Sequence, residues 1–269
     1  MKLIRIIFIL LMSVAGLMSA QTITPKKCNT CGKPLAQCQY KGRHPNPAAS
    51  EKPAKQRTQA AKPVQPSKPT SGYQNGHEWV DLGLPSGTKW ATMNVGASSP
   101  SDYGSYFAWG ETSPKSSYDW SNLKYCLGTT GDKFSKYVTD SKYGTVDGKR
   151  ELDLSDDAAY VNWGSGWRMP SKAQQNELRE KCKWTWTTMG GHNGIKVVGP
   201  NGNSLFLPAA GFRNEGSLLN AGSNGYYWPR SLSTSGGCSA YGLYFSSSNV
   251  YWGSYYRSSG QSVRPVLGS

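Results

Sequence analysis

The chain has 269 residues, with 30 Lys and Arg against 16 Asp and Glu, a formal net charge of +14 and six cysteines. That length holds one domain with a sizeable core plus flanking segments. The excess charge sits at the start: residues 1–20 carry two basic residues and 21–72 carry ten basic and one acidic, leaving roughly +3 for the rest (14 − 2 − 9). A folded part so weakly basic, with no cations clustered among its aromatics, excludes a nucleic-acid-binding face.

Residues 1–20 read as a secretion signal. Lys2 and Arg5 precede the apolar runs Ile6 to Leu11 and Val14 to Met18, too short for a stable membrane span, and cleavage is expected after Ala20. No cysteine follows the apolar run directly, so no lipid anchor is expected. The mature chain is therefore exported, to the periplasm, the cell surface or the medium.

Residues 21–44 form a small Cys/His segment. Cys28, Cys31, Cys38 and His44 are numerous enough for a tetrahedral zinc ion, and Cys28-Asn29-Thr30-Cys31-Gly32 sets two thiolates on one side of a tight loop. A segment this small has no core of its own and needs a metal or a bridge for order. In an oxidising compartment a disulfide is the competing reading, with one of the three cysteines left over. Zinc is the only cofactor the sequence suggests.

Residues 45–72 mix Pro47, Pro53, Pro63, Pro66 and Pro69 with Lys, Ala, Gln and Ser, the composition of an extended linker without a core. Its basic charge suits an anionic envelope surface or a solvated spacer.

From Tyr73 to Ser269 the chain is rich in Trp, Tyr and Gly. Residues 76–91 predict two strands around the Pro85-Ser86-Gly87 turn. Lys115 to Lys149 predicts a polar, turn-rich insertion. Two helices follow. Ser155 is expected to cap the first, with Asp156 and Asp157 in its first turn where the dipole favours acids, and Ser171 to cap the second, with Leu178 in the core. Trp184 to Thr187 predicts a strand, and Ile195 to Gly199 with Ser204 to Leu207 a hairpin around Asn201-Gly202. Two helices among many short antiparallel strands give an α+β domain.

The last segment, Asn224 to Val266, reads as a binding surface on a fixed frame. Alternation predicts Leu243, Phe245, Val250 and Trp252 inward, with Tyr244, Tyr251, Tyr255 and Tyr256 outward. Tyr226, Tyr241, Ser254, Ser258 and Ser259 complete the expected ligand-binding set. Tyr among Ser and Gly is the composition of antibody combining sites, since Tyr offers contact area at low entropic cost and small residues adapt around it.

Gly76 to Ala91, Asp102-Tyr103-Gly104, Phe107-Ala108-Trp109-Gly110-Glu111, Tyr226-Tyr227-Trp228, Ala240 to Phe245 and Arg257 to Val266 together resemble the Fibrobacter succinogenes major paralogous domain family of gut Bacteroidetes. The resemblance covers nearly all of Tyr73 to Val266. It implies a C-type-lectin-like fold and, through similarity to the variable proteins of diversity-generating retroelements, a C-terminal segment whose Asn codons have been altered at adenines. Such changes yield Tyr, Ser, Gly or Cys, the residues at Tyr241, Gly242, Tyr244, Tyr251, Gly253, Ser254, Tyr255, Tyr256, Ser258 and Ser259. The expected function is ligand binding by an adhesin-like protein, toward an unknown protein or glycan. The alternative is a non-variable structural or carbohydrate-binding envelope module.

Catalysis finds little support, and no enzyme activity is expected. His77, placed before the first strand, and His192, in a Gly-rich turn, are expected to be solvated. The surroundings of Cys126 and Cys182 do not match the redox cysteines of formylglycine-generating enzymes, which leaves a structural disulfide or two buried thiols. The lectin calcium motifs are missing from the sequence, so a lectin-like fold does not by itself imply sugar binding.

Overall fold

The computed structural model describes residues 70–268, so the signal, the Cys/His segment and the linker up to Pro69 lie outside the described residues. Strand structure is already present ahead of the composition shift at Tyr73. Strand β1 (Ser71–Gln74) pairs with β2 (His77–Asp81) through Asn75-Gly76, whose φ values of 49° and 79° make the tight reversal of a two-residue hairpin. The carbonyl of Thr70 also accepts from the N–H of Asp81 at 2.8 Å, so Ser71 and Gly72 belong to the domain rather than the linker.

β2 pairs with β3 (Lys89–Ala91) across the expected Pro85-Ser86-Gly87 turn. The final strand, β13 (Val266–Leu267), lies between β3 and β4 (Trp167–Arg168), giving the order β1-β2-β3-β13-β4 with all pairs antiparallel. The last strand described is thus flanked on both sides in the sheet that the first described strands begin. A meander of β5 (Lys183–Met189), β6 (His192–Val198) and β7 (Ser204–Pro208) follows, with Val198 opposite Ser204 across the expected Asn201-Gly202 hairpin. A small hairpin, β8 (Phe212–Asn214) and β9 (Ser217–Leu219), precedes a third sheet of order β10-β11-β12, spanning Gly225–Tyr227, Ser239–Phe245 and Val250–Tyr256. With two α-helices among the described residues, the architecture is α+β and mostly antiparallel. No helix among the described residues is long and apolar enough to cross a membrane.

Both helices form where expected, but the first starts differently. Helix α1 (Ala158–Trp163) is capped by Asp157, not Ser155; the Asp157 carboxylate accepts from the N–H groups of Ala159 and Tyr160 at 3.0 Å. Asp157 also pairs with Arg168 Nε at 2.8 Å, tying the cap to β4. Helix α2 (Lys172–Lys181) has the reciprocal cap of Ser171 with Gln174, and Leu178 is fully buried.

Asp156 is no helix-dipole acid. It ends a short 3-10 turn, has no exposed surface, and receives Lys124 Nζ at 2.8 Å, Lys136 Nζ at 2.6 Å and the hydroxyls of Tyr125 and Tyr137. Burial alone would raise its pKa, but these four donors outweigh burial and hold the carboxyl well below the usual carboxylate range. Tyr125, Lys136 and Tyr137 come from the polar insertion, which has little regular structure, as expected, yet buries Tyr118, Leu123, Phe134, Tyr137 and Val138. Tyr137 even adopts a φ of 61°, a conformation a bulky residue holds only under constraint. The constraint is visible: its N–H donates to Asp147 at 2.7 Å and its hydroxyl to Asp156.

Two buried arginines hold the last segment in place. Arg264 donates to Asn94 Oδ1 and to the carbonyls of Ala91 and Phe206, and Arg257 to the carbonyls of Lys136, Tyr137 and Gly237. Neither pairs with a carboxylate among the described residues; carbonyl dipoles carry the charge, and desolvation lowers both pKa values to about 10, leaving both cationic at neutral pH.

Candidate functional site

The third sheet carries most of the expected binding residues, and strand alternation divides them between its two faces. Register pairs Tyr226 with Tyr244, Tyr244 with Tyr251, Gly242 with Gly253 and Ala240 with Tyr255. Tyr226, Tyr244, Tyr251 and Tyr255 therefore share one face. Their rings form one cluster: Tyr244 lies 4.5 Å from Tyr251 and 5.2 Å from Tyr226, and Tyr226 lies 5.5 Å from Tyr255. Phe212 extends the cluster toward the β8–β9 hairpin, its ring 4.8 Å from Tyr226. Asn224 Nδ2 donates to the Tyr244 hydroxyl at 2.6 Å and Asn220 Nδ2 to that of Tyr226 at 3.2 Å, which fixes both phenol tips.

The opposite face is shared by a frame and a second group. Leu243 and Phe245 are fully buried, as alternation predicts, while Val250 and Trp252 are half-buried against the same core as Leu178. Past them the same face presents Tyr241, Ser254 and Tyr256. Tyr241 shares a hydrogen bond with Thr234 Oγ1 at 2.7 Å, and Lys172 Nζ lies 3.5 Å from its ring centre. Ser254 shares one with Ser233 Oγ at 2.7 Å. Tyr256 rests edge-on to Trp120 at 5.4 Å and is 60% exposed.

Four expected ligand-binding residues prove to be wholly or partly frame. Tyr226, Ser258 and Ser259 retain only 8%, 4% and 7% of their surface. The reason for the serines is the path after β12. Residues 257–266 run through the interior, where Gln261 exchanges both backbone hydrogen bonds with Phe107, and Trp228 N–H donates to the carbonyl of Ser262. Tyr255 is half-buried rather than outward. Its ring covers Gly242 and Gly253, so a Cβ at either would sit 2.5 Å from it, and burial pushes its phenol well above the ordinary tyrosine range. The two glycines make room for a frame tyrosine and leave no space for a larger side chain. Accessible positions reduce to the exposed Tyr251, Ser254 and Tyr256 and the half-buried Tyr241 and Tyr244, neither of which covers a glycine as Tyr255 does.

The histidines depart from expectation in the same way. His77 opens β2 and stacks on Trp163 with ring centres 3.8 Å apart, and burial lowers its pKa. His192 opens β6 and meets Tyr103 edge-on at 4.7 Å. Cys126, Cys182 and Cys238 are free thiols; Cys126 packs in the insertion's core and Cys182 against the core beneath α2, so they do not form a bridge with one another. Burial raises both the Cys126 and Cys182 pKa values, the latter to about 11. No group of three or more His, Cys, Asp or Glu able to hold a metal occurs among the described residues, and Cys28, Cys31, Cys38 and His44 lie outside them.

No family model matches the chain, and no match to it was found among curated proteins or solved structures.

Proposed function

We propose that this chain is an exported, adhesin-like binding protein whose C-terminal sheet presents an adaptable recognition surface on a C-type-lectin-like frame. The observation that carries the reading is the separation, within β11 and β12, of buried Leu243 and Phe245 from the accessible Tyr241, Tyr244, Tyr251, Ser254 and Tyr256. Side chains of the second group can change without opening a cavity, and Tyr and Ser there supply contact area and hydrogen bonding at low entropic cost. The motifs shared with the Fibrobacter succinogenes major paralogous domain family support the frame, and the adenine-reachable residues support diversification of the face. The ligand is a protein or glycan, and the basic tail offers a second attachment to an anionic envelope.

The DNA beside the gene tests this. Diversification requires a near-copy of the codons for Asn224 to Val266, with Asn codons at the accessible Tyr and Ser positions, beside a reverse transcriptase gene. Without that copy the face is fixed, and the chain reads instead as a non-variable structural or carbohydrate-binding envelope module. The hydroxyls of Tyr226 and Tyr244, already held by Asn220 and Asn224, are the observation that favours this second reading.

A further inference from the structure

Beside the β11–β12 sheet, on the face that carries Tyr241 and Trp252, a groove of about 560 Å³ opens between the start of α2 and the chain at Arg150-Glu151. Its floor is Ser231-Leu232. Both neighbours of that floor are already paired: Tyr241 N–H donates to the carbonyl of Ser231 at 3.3 Å, and Leu232 N–H to that of Arg150 at 2.8 Å. The floor therefore has no free strand edge to offer a peptide.

The lining is positively charged. Arg150, Lys172 and Arg230 face one acid, Glu151, a balance of +2 (3 − 1). Glu151 is already spent on Arg230, whose Nε it accepts at 2.6 Å, and on the hydroxyl of Ser231 at 2.9 Å. Arg150 and Lys172 have no carboxylate partner among the described residues. Lys172 is instead steered by aromatic faces, its Nζ 3.5 Å from the Tyr241 ring centre and 5.9 Å from that of Trp252. Asn176, also in the lining, accepts from Trp252 Nε1 at 3.3 Å, so both aromatics adjoin the groove through residues that line it. The α2 start is not the anion holder: Lys172 N–H is taken by Ser231 Oγ and Gln174 N–H by Ser171 Oγ. What is unpaired is side-chain charge.

Two cations with no carboxylate partner among the described residues, one of them, Lys172, lying over the Tyr241 ring, suit a polyhydroxylated ligand that carries carboxylates. We infer that this groove binds an acidic oligosaccharide, with Lys172 and Arg150 meeting its carboxylates and Tyr241 with Trp252 flanking a sugar ring. This deepens the recognition reading above and rests on it at Tyr241, which both share, while Arg150 and Lys172 lie outside the C-terminal segment and keep the groove's charge whatever residue stands at 241.

The test is calorimetric titration of the purified full-length chain with a tetramer of galacturonic acid, and with the same tetramer after reduction of its carboxyl groups. The acidic tetramer should bind and the neutral one should not. Lys172→Ala should weaken binding about tenfold, as loss of one charge-assisted contact implies, and Lys172→Arg should largely restore it. Arg150→Glu with Lys172→Glu should abolish it while the melting temperature stays near that of the parent. Binding that survives this double reversal belongs to the basic tail and overturns the inference. So does equal competition by a short poly-glutamate peptide, which would make the groove an acidic-peptide site. Failure to bind the acidic tetramer at all overturns it as well, without touching the diversification of Tyr244 and Tyr251 on the opposite face.

Discussion

Replacing Tyr255 by Ser, beside the same change at Tyr251, separates frame from face within one strand. The Tyr255 ring lies 5.5 Å from Tyr226 and 6.4 Å from Trp228, and fills the space over Gly242 and Gly253. Truncating a fully buried aromatic costs about 3–5 kcal/mol, so a half-buried ring covering two glycines should cost about 2–3 kcal/mol. For a domain of this size each kcal/mol moves the melting temperature by about 2–4 °C, so Tyr255→Ser should melt roughly 4–12 °C lower. Tyr251 is 46% exposed and its one close ring partner is Tyr244. Losing that pair should cost about 1 kcal/mol at most. Differential scanning calorimetry of both variants reads the contrast directly. An equal or larger loss for Tyr251→Ser would mean that the inner and outer tyrosines have been assigned the wrong way round.

Other perturbations follow from the same packing. Phe245→Ala, at a fully buried ring stacked on Tyr227 at 5.8 Å, should cost about 3–5 kcal/mol in chemical denaturation. Asp156 has a depressed pKa, so its stabilisation is fully present above the unfolded carboxylate value near 3.8 and is lost as pH falls through the folded value. Melting temperature should accordingly drop steeply below about pH 4 in the parent. Asp156→Asn should be destabilised at neutral pH by about 3 kcal/mol, because Lys124 and Lys136 lose their shared counter-charge, and should show a shallower acid slope. Cys182, with its thiol raised to about 11, should react with iodoacetamide at pH 8 at about a thousandth of the rate expected of a full thiolate, and reach ordinary thiol rates only after denaturation.

What was legible in the sequence is what local chemistry controls. The Asn201-Gly202 hairpin, the Ser171 cap, and the inward Leu243 and Phe245 each follow from a few adjacent residues. What was not legible depends on partners distant in the chain. Asp156 and Asp157 sit at a helix start and look alike in sequence. One is a cap, while the other is a buried hub because Lys124, Tyr125, Lys136 and Tyr137 fold back over it. Ser258 and Ser259 match the composition of the face but are drawn inside by the buried arginine that precedes them and the interior strand path that follows. Tyr255 alternates outward by period, yet the two missing side chains at Gly242 and Gly253 let it lie down against the sheet. Arg150 and Lys172 lie outside the C-terminal segment, and only the tertiary fold sets Lys172 beside Tyr241 and Arg150 beside Leu232.

The central claim is that selection lets the accessible residues of β11 and β12 change while the frame beneath them stays. Deep sequencing of the codons for Asn224 to Val266 across a population carrying this gene measures it most directly. Substitutions should concentrate at Tyr241, Tyr244, Tyr251, Ser254 and Tyr256, and spare Gly242, Leu243, Phe245, Gly253, Tyr255, Arg257 and Arg264. Substitutions spread evenly over both sets, or none in either, would contradict an adaptable face on a fixed frame.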